Sequence, residues 1–298
     1  FGNTDAGGQV VLDPLFRNPL SKASFAGDDI GMESVYDYLP HDYLEECRRI
    51  IAQGPIFRDW TWAQSQLGVE VGAQGGVAPE WFEVPYSFID TGDPDCVWRR
   101  RVRSLSSGGP IYEIWSPVRW VAQLVKVTLV LRTHQVRMLD SGESDTWQYC
   151  IGDSGGTWIL NDGPLRSGTV KKPTQQGVFR RPSQNLLDRD FKVPANWPNA
   201  VLYINTNKTA DAKKSGAQKG YSFPWLVSGG LESDVFYWMA KLRDWQKRYN
   251  PLSRPTSWSE LDSRHITKKS DGQLAGFPDT CFLFRLPEER GGKRHLPL

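Results

Sequence analysis

The chain has 298 residues with 36 Lys+Arg and 34 Asp+Glu, a formal net charge of +2, and it is 39% hydrophobic and 23% charged. That balance excludes a disordered or collagen-like chain, and the length allows one large domain or two smaller ones. The net charge averages two unlike parts: residues 1–96 hold 5 basic and 16 acidic side chains (net −11), and residues 97–298 hold 31 basic and 18 acidic ones (net +13). Such an asymmetry points to contact with nucleic acid or a membrane surface. The cysteines Cys47, Cys96, Cys150 and Cys281 stand far apart without a CxxC pair. That spacing argues against a zinc ribbon or a small disulfide scaffold and makes a reducing, cytoplasmic setting the default. No segment is long and apolar enough to span a bilayer; the best candidate, 118–131, is broken by Arg119, Gln123 and Lys126. There is no signal-peptide pattern, and a start at Phe1 rather than Met fits a piece of a longer protein.

In chain order, residues 1–35 are rich in Gly, Asp, Asn and Ser and read as a linker or arm ahead of a domain over 36–298. Leu44, Cys47, Ile50 and Ile51 recur at helical spacing after Pro40, and Gly54-Pro55 ends that helix. Residues 54–110 form a Trp/Gly/Pro-rich insertion of short elements joined by turns, closing on the basic run at 98–103. Ser116-Pro117 starts the next helix, with Ser as N-cap and Pro at its first position, running toward Leu131. A shorter helix follows over 132–139 and stops near Asp140-Ser141-Gly142. The run 201–206 is a strand by β-branched and aromatic content, and Tyr221-Ser222-Phe223-Pro224-Trp225 pairs with it as a long hairpin. Val235, Trp238, Met239, Leu242 and Trp245 form one face of the clearest helix, stopped by Asn250-Pro251. Residues 252–280 read as a loop insertion, and Cys281-Phe282-Leu283-Phe284 as a buried strand.

Two residues carry candidate chemistry. A transition state at phosphorus gathers charge on non-bridging oxygens, and the planar guanidinium fork meets it best. Arg132 stands where an apolar helix gives way to a polar one, so its stem can be buried and its head exposed; there it would equally serve to cap the helix carbonyls. Lys208 begins the hairpin loop, where an ammonium can enter a DNA groove and donate a proton to a leaving oxygen, or simply be solvated. A separate motif, Gly152-Asp153-Ser154-Gly155-Gly156, matches the nucleophile segment of trypsin-like serine proteases. That chemistry also needs a His base and a buried Asp, and the upstream His41 and His134 stand in no matching context. The alternative is a Gly-rich turn between strands.

Taken together, Leu129-Val130-Leu131-Arg132-Thr133-His134-Gln135-Val136-Arg137-Met138-Leu139 resembles the first-arginine segment of tyrosine recombinases, the phage-type integrases. Tyr203-Ile204-Asn205-Thr206-Asn207-Lys208-Thr209, with the basic loop and Gly220-Tyr221-Ser222-Phe223-Pro224, resembles that family's β-hairpin. The wording around 115–119, 131–147 and 175–181 is similar to the large, divergent integrases of bacterial mobile islands. The resemblance implies an α+β fold: a mainly helical catalytic domain with a small antiparallel β-sheet. It also implies double-stranded DNA as partner, homo-oligomers on DNA, no cofactor and no metal.

In the resembling scheme a Tyr cleaves one strand to a 3′-phosphotyrosyl link, Arg132 clamps the scissile phosphate and Lys208 is the general acid. Arg137, Arg180, Arg181, Lys213, Lys214 and Lys219 are expected DNA contacts. The sequence departs from the pattern at Gln135, where the family has Glu or Asp; Asp140 or Glu143 are candidate substitutes. No Tyr follows Tyr249, and His265-Ile266-Thr267-Lys268 is the nearest approach to the family's His-x-x-Arg box. The chain is therefore expected to be a DNA-binding fragment lacking the nucleophile, with a non-catalytic accessory DNA-binding protein as the alternative.

Overall fold

The computed structural model describes residues 2–4, 10–12, 40–66, 80–102, 109–152, 155–181, 200–207, 211, 214, 219–224, 233–261, 266, 270–287 and 295–298. The chain divides into two units, Phe1–Leu39 and Pro40–Leu298, a boundary a few residues beyond the expected one. In the first unit, β1 (Gly2–Thr4) pairs antiparallel with β2 (Val10–Leu12).

The second unit opens with α1 (His41–Ile51) behind Pro40, as its spacing predicts. Then follow α2 (Thr61–Gln66), β3 (Trp81–Val84), β4 (Trp98–Val102) and β5 (Pro110–Trp115). These three strands form an antiparallel sheet in the order β3-β5-β4. The 54–110 segment is thus integral to the fold. Phe57 and Trp60 are fully buried and meet Trp238 at ring separations of 5.5 and 4.5 Å, the spacing at which edge-on and tilted aromatic pairs are favourable. Two arginines of the basic run share one carboxylate within the sheet. Arg99 Nε donates to Glu113 (2.6 Å) and lies over the Trp81 ring, and Arg101 also reaches Glu113.

α3 (Val118–Leu129) starts one residue later than predicted, with Pro117 as N-cap. Ser116 does not cap it: its Oγ is buried without a hydrogen-bond partner, and its backbone N–H extends the β3–β5 ladder by donating to Glu80 O. α3 stops at Val130, which takes a left-handed conformation (φ 52°), uncommon for a β-branched residue. α4 (Thr133–Arg137) follows. Next, β6 (Trp147–Gly152) and β7 (Gly155–Leu160) pair as a hairpin with Gly152 opposite Gly155. The protease-like motif therefore closes a β-hairpin; Ser154 itself lies outside the described residues.

β8 (Phe179–Arg180), β9 (Val201–Ile204) and β10 (Tyr221–Pro224) make the third sheet, order β10-β9-β8. Tyr221 stands opposite Ile204 and Pro224 opposite Val201, the hairpin expected from sequence. α5 (Val235–Tyr249) is capped by Asp234, whose carboxylate accepts the Phe236 N–H, and its predicted apolar face is buried.

Two expectations for the C-terminal part fail. Residues 252–280 are not a loop insertion: they carry α6 (Asp271–Ala275) and build a second core of Met138, Trp258, Leu261, Leu274, Phe277, Phe282 and Leu296. Trp258 and Phe277 stack there at 3.8 Å and 11°. Cys281-Phe282-Leu283-Phe284 is buried but forms no extended strand. It is tied by the single bridge of Phe282 with Asp140 and by bonds to Leu139 and Ser141. Nor do helices dominate: among the described residues the fold is α+β, with helices and small antiparallel sheets side by side, because the Trp-rich segment supplies strands.

Candidate functional site

The site grows from the junction of α3 and α4. The kink at Val130 ends the apolar helix, and Arg132 becomes the extended N-cap of α4 (φ −64°, ψ 144°) with its side chain exposed. Gln135, one turn on, is buried. Its Oε1 accepts the Arg132 backbone N–H (3.1 Å), while its Nε2 donates to Thr206 O (3.3 Å) and to Tyr221 Oη (3.2 Å). One amide thus joins the arginine's mount to β10 and to the segment that leaves β9, two residues before position 208. Lys208 and Lys213 lie outside the described residues.

This geometry gives a physical reason for glutamine at position 135. The contact to Thr206 is with a carbonyl oxygen and requires an N–H donor; a carboxylate would set acceptor against acceptor. Asp140 and Glu143 do not take over this place. Asp140 accepts the backbone N–H groups of Gly142 and Cys281, and Glu143 pairs with Arg285. Gln135→Leu is expected to leave a buried carbonyl and hydroxyl without that partner and to cost about 1–3 kcal/mol, measured by urea unfolding.

The remaining candidates divide. Lys214 is exposed, and Arg137 and Arg181 are half-buried, with Arg181 5.1 Å from the Trp147 ring centroid. Arg180 and Lys219, expected on the surface, are interior: 4% and 6% exposed. Arg180 lies over the Tyr203 ring, and Lys219 donates to Asp211 O (3.2 Å) and sits 4.3 Å from the Phe277 ring centroid. Their stems could be buried because aromatic faces receive the cations.

The polar string 140–146, where the sequence predicts the stop of a short helix and offers Asp140 and Glu143 as substitutes for the family's acidic residue, is buried at all seven positions. Asp145 accepts the backbone N–H groups of Gln176 and Gly177 at 2.6 and 2.9 Å. A Cβ on Gly177 would meet the Gly142 Cα at 2.5 Å, so glycines let the two loops touch. Burial pushes the Asp140 carboxyl up to about 8, helped by Asp145 beside it, and burial raises Asp145 to about 6. Both values lie above those of the unfolded chain, near 3.9. Between the two the native state keeps protons that the unfolded state has released. These groups' contribution to stability is therefore complete below about pH 4 and is lost as pH rises toward about 8. Urea unfolding at a series of pH values should show a shallower decline for Asp140→Asn than for the unaltered chain.

Tyr249, the last tyrosine, is buried and donates its hydroxyl to Asp93 (2.6 Å); burial raises its pKa further, and so does Asp93. Among the described residues no group of His, Cys, Asp and Glu could hold a metal ion, and no helix is long and apolar enough to cross a membrane.

Compared with known proteins, residues 1–259 match the model of a family described as putative integrase. Neither the curated proteins nor the solved structures give a match.

Proposed function

The chain belongs to the integrase family, and on that premise we propose that it takes part in site-specific strand cleavage and rejoining of double-stranded DNA through a phosphotyrosyl link, as an integrase of a bacterial mobile element. DNA integration is the role that membership carries in general, and DNA the substrate. The observation that carries the finer reading is the Gln135 bridge. It fixes the exposed Arg132 against the base of the hairpin whose loop contains Lys208. Arg132 clamps the scissile phosphate, and Lys208 protonates the 5′ leaving oxygen. Lys213, Lys214, Arg137 and Arg181 add phosphate contacts, and the protein assembles as a homo-oligomer on DNA.

No tyrosine is assigned as nucleophile. Tyr249 is held by a carboxylate that disfavours its phenolate, the reverse of what attack on phosphorus needs.

The test is covalent trapping on a nicked suicide duplex, by this chain together with whatever its gene encodes beyond Leu298. A protein–DNA adduct is expected. A protein that binds DNA with a steep salt dependence but never traps would be an accessory DNA-binding protein. Binding that is flat in salt would contradict both readings.

A further inference from the structure

Val130 breaks two rules at once. It holds a left-handed backbone (φ 52°, ψ 33°), and its side chain is 80% exposed. A β-branched residue in that region is strained, because its Cβ crowds the following carbonyl oxygen. The other left-handed non-glycine among the described residues is His295, a type that visits the region several-fold more often. Single exposed apolar side chains are ordinary. One that is also strained is not, since glycine would relieve the backbone and remove the apolar surface together. Such strain clusters at active sites and ligand clamps.

The neighbours indicate the ligand. Leu131 turns inward and packs against the main core, while Val130 and Arg132 on either side of it are exposed. Two residues of chain reach about 7 Å at most, so both side chains address one small area of a bound surface. The arginine is fixed there by its backbone N–H to Gln135. With its guanidinium on a phosphate, the valine falls beside that phosphate. The apolar surface next to a phosphate on a DNA strand is the C–H face of the deoxyribose. The other apolar group that duplex DNA offers, the thymine methyl, lies in the major groove on the base edge.

We propose that Val130 is a substrate contact: its methyl groups pack on the deoxyribose next to the phosphate that Arg132 clamps. This contact rests on the DNA-binding reading above and adds to it a term that carries no charge.

Binding of two duplexes, one rich in A·T pairs and one in G·C pairs, is measured over a range of salt for the unaltered chain, Val130→Gly, Val130→Ile and Arg132→Ala, with melting temperatures alongside. Val130→Gly is expected to bind both duplexes about tenfold more weakly, the worth of one buried valine, and Val130→Ile to bind as the parent does. Sugar contacts carry no sequence information, so the two duplexes should lose equally. The slope of log K against log salt should stay unchanged in Val130→Gly, because an apolar contact releases no counterion, whereas Arg132→Ala should lose about 0.9 of it. Val130→Gly should melt no lower than the parent, since relief of the left-handed valine offsets the freedom that glycine gives the unfolded chain.

A lower melting temperature would show that the fold itself uses the valine and would overturn the proposal. A slope reduced as in Arg132→Ala would make the valine a mount for the arginine and overturn the contact. A loss confined to the A·T-rich duplex would move the contact to the thymine methyl and overturn the sugar. Unchanged binding by Val130→Gly overturns the contact and leaves the DNA reading standing. No binding by the unaltered chain, or binding flat in salt, overturns both.

Discussion

With this chain joined to whatever its gene encodes beyond Leu298, Arg132→Ala is expected to lower the yield of covalent protein–DNA adduct by roughly 100- to 1,000-fold, the cost of removing one positioned donor to a developing oxyanion. The fold should hardly notice. The side chain is exposed, and the bond that anchors this position comes from its backbone N–H to Gln135. Unfolding free energy should stay within about 0.5 kcal/mol. Arg132→Lys should recover little, since an ammonium cannot make the paired contact of a guanidinium fork. An alanine variant that traps DNA as well as the parent would remove Arg132 from the mechanism and take the finer functional reading with it.

The largest loss of stability is expected at Arg285. The guanidinium is fully buried and donates to both Glu143 oxygens (2.6 and 3.3 Å), to Asn250 O and to Phe282 O. It thereby joins the 140–146 string, the end of α5 and the C-terminal segment. Arg285→Met would leave the Glu143 carboxylate buried without its cation, which costs about 3–5 kcal/mol. Replacing both partners, Glu143→Leu with Arg285→Met, should restore only part of it: no charge is left buried alone, but the carbonyls of Asn250 and Phe282 still lose the guanidinium. Urea midpoints at a constant slope measure both. A loss of about 1 kcal/mol or less for Arg285→Met is what an exposed pair gives and would contradict the account.

What the sequence made legible was local. The α1 and α5 faces, the stop at Asn250-Pro251 and the β9–β10 hairpin all follow from spacing and turn chemistry, which act within a few residues. The junction at Arg132 was legible for the same reason. What was hidden depended on distant partners. The string 140–146 is polar enough to pass for a surface loop, and distant partners, among them Arg285, Asn161, Cys281 and the backbone at 176–177, make its burial tolerable. Arg180 and Lys219 look like surface cations until Tyr203 and Phe277 fold over against them. Residues 252–280 lack a regular period, so nothing local announces that Trp258 and Phe277 stack into a core. The departure at Gln135 was visible, but its sense was not, since the carbonyl that needs its N–H lies 71 positions away.

That choice of an uncharged linker has a further consequence. The Gln135 amide that attaches α4 to the hairpin has no proton to gain or lose and no net charge for salt to screen. Acidity and ionic strength therefore act on how DNA is gripped and on the stability of the buried carboxyls, while the arginine's mount keeps one alignment throughout.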